Sequence, residues 1–161
     1  MFKGFANVWT PVCMSTELRP NRPLSVQVAG IKIVLFRGAD GSPVALLDRC
    51  PHRGVALSLG KVQHGCIECP FHGWRFDKSG DAVHVPWNPD AKTAKLRGVS
   101  LAARELAGQI WIYTAPDTTP TEEPAVAEEL LSAQVHISGG ALNWNCHWTR
   151  AMENMLDWPH L

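Results

Sequence analysis

The sequence has no surplus of either charge: 15 Lys and Arg stand against 15 Asp and Glu in 161 residues. Binders of nucleic acid or of anionic membrane surfaces carry a basic excess, so neither is an expected partner. No apolar run approaches the roughly 20 residues that a membrane-spanning helix needs. The opening M-F-K-G-F-A-N-V-W-T lacks the long apolar region of a secretory signal, which points to a cytoplasmic chain. An even set of cysteines is missing too. Five Cys cannot all pair, which favours a reducing compartment and metal ligation over a disulfide framework. Hydrophobic residues make up 45%, enough for one domain with a core and too many for disorder throughout.

Short β-rich segments separated by turn residues dominate the first two thirds. Trp9–Cys13, Leu24–Val28, Ile31–Phe36 and Pro43–Leu47 read as strands of an antiparallel meander. Trp74–Asp77 and Ala82–Val85 read as a hairpin about the turn at 78–81. Val99–Arg104 and Gln109–Tyr113 read as another, returning the chain to the first sheet. From Ala115 the run P-D-T-T-P-T-E-E-P reads as a linker or exposed crossing, with Glu122, Glu123, Glu128 and Glu129 on a solvated face. Ala125–Leu131 is expected as a short helix and Val135–Ile137 as a strand. Leu142–Trp158 is expected as a helix, because Trp144, Trp148, Met152 and Met155 recur at spacings of four, four and three.

Cys50 to Trp74 carries the chemistry. The chain reads C-P-H-R-G from Cys50 and C-P-F-H-G-W from Cys69. Each half supplies one thiol and one imidazole: Cys50 with His52, and Cys69 with His72. Two similar loops, each with one Cys and one His, predict one metal site built from both. Two chemistries suit that ligand set. One is a tetrahedral Cys₂His₂ zinc, to which the C-x-x-C of Cys66 and Cys69 lends weight, although C-x-H is tighter than common zinc spacings. The other is a two-iron, two-sulfide cluster with Cys50 and Cys69 on one iron and His52 and His72 on the other. Pro and Gly in both loops favour the second, since Gly lets backbone approach inorganic sulfide without a Cβ in the way. Cys13, Cys66 and Cys146 are expected as buried, inert thiols. His64, His84, His136 and His147 are expected outside the site, His64 being the most in question because it lies near the second loop.

The paired motifs, with sixteen residues between His52 and Cys69, resemble the Rieske motif. More narrowly they resemble the N-terminal Rieske domain of ring-hydroxylating and demethylating oxygenase α subunits. Rieske proteins of respiratory and photosynthetic complexes usually add a Cys to each loop to form a disulfide. Here Arg53-Gly54 and Phe71 stand in those places, so the resemblance implies a potential at the low end, about −150 mV. It also implies a mainly β fold at 1–114, with antiparallel sheets and two cluster-binding loops. A linker and the first elements of a truncated α+β catalytic domain would follow at 115–161.

The last residues, E-N-M-L-D-W-P-H-L, resemble the family's signature E-N-x-x-D-x-x-H-x-x-x-x-H, whose two His bind a mononuclear non-haem iron. By that resemblance His160 is the first iron ligand. The second His and the carboxylate of a 2-His-1-carboxylate site would lie beyond Leu161. Asp157 matches an acid that, in trimeric relatives, links a Rieske His of one subunit to the iron His of its neighbour; His72 matches that Rieske His, and Asn154 belongs to the same motif. The resemblance therefore implies a terminal oxygenase that takes electrons from a reductase or ferredoxin, with [2Fe–2S] and mononuclear Fe(II) as cofactors. Its reaction would be O₂-dependent hydroxylation or demethylation of an aromatic-type substrate in a homotrimer. A stand-alone Rieske ferredoxin is the alternative. Trp74 is expected beside the cluster, and Trp144, Trp148 and Trp158 against the helix.

Overall fold

Ile31–Phe36 is apolar at nearly every position, as a strand covered on both faces must be. In the computed structural model, which describes residues 1–157 apart from positions 3, 5, 89, 92, 94, 95 and 141, this run lies within the central strand β3 (Ile31–Arg37). Its side chains alternate between two cores. Val34 and Phe36 point into one, Ile33 and Leu35 into the other, and all four are fully buried. The strand β4 (Pro43–Leu47) divides in the same way, with Val44 and Leu46 on one side and Ala45 on the other.

Three antiparallel sheets result. The middle sheet has the order β2-β3-β4-β9, with β2 at Leu24–Val28 and β9 at Ser100–Leu101. On one side lies β1-β11-β10, formed by Trp9–Met14, Gln109–Tyr113 and Ala103–Leu106. The third sheet, β5-β6-β7-β8, is built from Lys61–Gln63, Cys66–Glu68, Arg75–Phe76 and Ala82–His84. Val62, Ile67 and Phe76 of that sheet close the core that also takes in Cys50 and Cys69. The mainly β expectation holds, and one α-helix, α1 (Trp148–Leu156), is present among the described residues.

Several expectations are corrected. The segment 99–104 is split between sheets: β9 pairs with β4, whereas β10 turns back onto β11. The predicted helix at 125–131 shrinks to a 3₁₀ turn, Glu128–Leu131. Val135–Ile137 forms no strand; Ile137 instead lies over Gly108, 3.4 Å from where a Cβ would sit there. The helix predicted from Leu142 starts only at Trp148, because His147 caps it, its Nδ1 accepting from the Thr149 N–H. Trp144 and Trp148 are 47% and 64% exposed rather than packed, so the spacing records an amphipathic face that nothing described covers. Trp158 lies outside the described residues.

The acidic stretch is exposed as expected but is also held down. Trp9 Nε1 donates to the Glu122 carbonyl at 2.7 Å, and Arg104 pairs with Glu123 at 2.9 Å. Arg37, at the end of β3, joins the middle sheet to β10 through a bidentate pair with Glu105 and donates to the Leu18, Gly41 and Ser15 carbonyls. Hydrogen bonding from Arg37 holds the Glu105 carboxyl below its usual range. A depressed carboxylate stabilises the fold above its unfolded value, and that stability is lost as pH falls through the folded value. The urea midpoint should therefore drop below about pH 4.5, and Glu105→Gln should drop less over the same window. An equal acid slope in the variant would remove this pair from the account.

Candidate metal centre

The two motifs fold into near-copies of one loop. In the first, the Cys50 N–H donates to the Val55 carbonyl at 2.8 Å and the Gly54 N–H donates back to the Cys50 carbonyl at 2.8 Å. In the second, the Cys69 N–H donates to the Trp74 carbonyl at 2.8 Å and the Gly73 N–H to the Cys69 carbonyl at 3.0 Å. Both turns close on a glycine in the left-handed region, with φ of 75° at Gly54 and 70° at Gly73. The second loop is the tip between β6 and β7. The first is not a hairpin tip: it lies where the chain leaves β4 for the third sheet.

The loops bring the four predicted side chains together. Cys50 and Cys69 are each 2% exposed and share one buried cluster with Phe36 and Phe76. The His52 and His72 rings lie 4.7 Å apart, His72 at the surface. Trp74 stacks on His52 at 4.8 Å and 13°, as expected for a residue beside the site, and Phe71 packs on His72 at 4.0 Å. Burial raises the Cys50 thiol above its usual value, against which backbone N–H groups of His52 and Arg53 stabilise the thiolate. Burial lowers His52, and the charges of His72 and Arg53 push the same way, which favours the neutral ring that ligates metals.

One atom tests whether the site fits a metal. His52 Nδ1 is buried and has no hydrogen-bond partner. Such an atom costs about 1–3 kcal/mol if left so; a bond to metal would satisfy it. The two cysteines share one buried cluster and the two imidazoles lie together, the pairwise set that a two-iron cluster uses.

Other residues give the loops their footing. The buried Asp48 carboxylate, two positions before Cys50, accepts from the Ser58 N–H at 2.7 Å, the Ser58 hydroxyl at 2.6 Å and the Ser25 hydroxyl at 3.2 Å. It thus ties the end of β4 to β2 and to the segment between the loops. Glu68 pairs with Arg75 at 2.7 Å and Lys61 at 3.2 Å, clasping the stem of the second loop. Burial raises the Glu68 carboxyl, and hydrogen bonds from Arg75 and Lys61 outweigh it to leave the group below its usual range. Nothing in the sequence marked Asp48 or Glu68, since their partners are adjacent only across strands.

The remaining candidates separate. His64 stands exposed at the far end of β6 from Cys69, in the β5–β6 turn, so it is outside the site. Strand alternation puts Cys69 and Ile67 inward and leaves Cys66 outside the core, so the C-x-x-C does not act as a unit. All five cysteines are free, and burial is less than expected: Cys13 and Cys66 are half-buried and Cys146 is exposed. Burial nevertheless pushes the Cys13 thiol up to about 11. Asn154 and Asp157 are exposed on α1 and at its C-terminal end. His160 lies outside the described residues.

Paired loops that each present a Cys and a His from a three-sheet β scaffold define an iron–sulfur electron-transfer domain. The family model of the Rieske [2Fe–2S] domain matches residues 8–98, and the chain belongs to that family. It is 31% identical to the 3-chlorobenzoate-3,4-dioxygenase oxygenase subunit of Comamonas testosteroni, over 94% of this chain and 36% of that protein. The same identity relates it to the dicamba O-demethylase oxygenase component of Stenotrophomonas maltophilia, over 96% of this chain and 45% of that one. Dicamba monooxygenase bound to dicamba superposes with a TM-score of 0.65 at 35% identity, covering 72% of this chain and 36% of that chain. These relatives are oxygenase components rather than free-standing carriers. The chain spans about a third to a half of their length.

Proposed function

We propose that this chain is the electron-receiving portion of a terminal oxygenase, with Cys50 and Cys69 on one iron of a [2Fe–2S] cluster and His52 and His72 on the other. The buried, unpartnered Nδ1 of His52 between two matched loops carries this reading. When bound, such a cluster supplies one-electron transfer, and a mononuclear non-haem iron supplies O₂ activation. The protein's own part is to exclude water from the two thiolates, hold the imidazoles neutral and leave His72 at the surface. Residues 1–114 form the Rieske domain, and 115–161 lead into a catalytic domain whose first iron ligand is His160. In a homotrimer Asp157 of one chain takes the ring N–H of His72 of the next and links it to His160. A reductase or ferredoxin donates the electrons, the substrate is an aromatic-type small molecule, and the site of action is the cytoplasm.

Chemical analysis of the purified chain tests the cluster, with about two irons and two sulfides expected per chain; zinc without visible absorbance would refute it. For the bridge, Asp157→Asn in the complete oxygenase should leave the Rieske centre reducible. It should slow reoxidation in a single turnover by about 10–100-fold, the usual cost of losing a group that orients a ligand. An unchanged single-turnover rate would remove Asp157 from the path.

A further inference from the structure

The two loops share a backbone design, but their rims are of opposite character. Phe71 and Trp87 flank the second loop; Phe71 is 60% exposed, Trp87 is wholly exposed, and the ring of Pro86 beside Trp87 lies 3.1 Å from where a Cβ would stand on Gly73. No charge lies among Pro70, Phe71, Pro86 and Trp87. Arg49 and Arg53 flank the first loop, both exposed. The Arg49 guanidinium lies 3.3 Å from where a Cβ would stand on Gly54. Among the described residues neither arginine has a carboxylate within ion-pair distance. The chain as a whole is electrically neutral, so these two guanidiniums make the first-loop rim locally positive.

We infer that the Arg49–Arg53 rim is the docking surface for an electron-donor protein with an acidic face. This deepens the proposed function and rests on the two loops holding the cluster. An electron must reach buried sulfurs through a brief protein contact, and charge pairing at a rim speeds encounter without demanding a large buried area. Two unpaired guanidiniums fit carboxylates, which they grip in bidentate fashion, and repel a basic carrier.

The test uses the full chain with its cluster assembled and a reduced, acidic plant-type ferredoxin as the probe. Stopped-flow reduction should slow about tenfold or more between roughly 20 and 300 mM salt. Arg49→Glu with Arg53→Glu should slow it about as much at low salt and flatten the salt dependence. The Arg49→Lys, Arg53→Lys pair, which keeps the charge, should retain most of the rate, and Arg49→Gln with Arg53→Gln should fall between. Photoreduced deazaflavin, too small to need a docking surface, should reduce all forms alike. Equal ferredoxin rates in wild type and the charge-reversed form would overturn the inference. So would slowing with both reductants, or a shifted potential, because the arginines would then act on the cluster itself. A changed sedimentation behaviour would give the rim to a second copy, through its acidic run at Glu122–Glu129, and would overturn the inference too. Failure to assemble any cluster would instead refute the proposed function beneath it.

Discussion

Replacing both His52 and His72 by Cys should lower the reduction potential by about 250 mV while keeping two irons per chain. The argument rests on charge. On the proposed reading an imidazole ligates as a neutral group, and burial lowers His52 toward that form. Each thiolate substituted for it adds a negative charge to the oxidised cluster and makes a further electron harder to accept. Rieske centres lie above about −150 mV and all-Cys plant-type centres near −400 mV, which sets the size of the shift. For a one-electron couple that is about four powers of ten in equilibrium constant. Spectroelectrochemical titration reads it directly, and each single replacement should give about half the change. Should the double variant titrate with the wild type, the imidazoles would not be ligands. Cys69→Ser is the contrasting case: it removes a buried sulfur from the core that Phe36 and Phe76 also fill, and the iron should be lost rather than retuned.

The sequence brought these four candidate side chains together because each loop is local. Cys50 and His52, or Cys69 and His72, are fixed relative to each other by a turn of a few residues, so spacing alone carried the chemistry. Strands with clear alternation were legible for the same reason, and β2, β3 and β4 lie within a residue of their expected bounds. What was not legible depends on partners far along the chain. Nothing in the sequence set Asp48 apart, yet its hydrogen bonds reach Ser25 and Ser58. Residues 99–104 looked like one strand, yet sheets on either side claim its two halves. The apolar spacing at Trp144, Trp148, Met152 and Met155 described a face correctly and its burial wrongly, since periodicity reports an amphipathic surface and not what covers it.

Gly60→Ala should damage both the fold and the cluster site, although Gly60 touches neither loop's Cys or His. In the sequence Gly60 sits in what reads as a connecting excursion between the loops, with nothing to set it apart. In the fold it follows the 3₁₀ turn Leu57–Leu59, its N–H donating to the Leu57 carbonyl at 2.9 Å. A Cβ there would stand 1.9 Å from the Glu68 carbonyl oxygen. Its φ of −90° suits any residue, so the conflict is one of space and not of backbone strain. Backbone oxygen cannot swing aside as a side chain can. Either β5 parts from β6, or Glu68 retreats and takes with it Cys69 and the ion pairs to Lys61 and Arg75. Overpacking of this kind costs about 3 kcal/mol, a large share of a typical domain's stability. Urea unfolding should show that loss, and iron content should fall well below two per chain. Gly140→Ala is the control: a Cβ there meets nothing within 4 Å, and the change should stay within about 0.5 kcal/mol. If Gly60→Ala matched that control in both stability and iron, the second loop would not depend on the segment behind it. The two loops would then be independent turns rather than one cradle held from both sides.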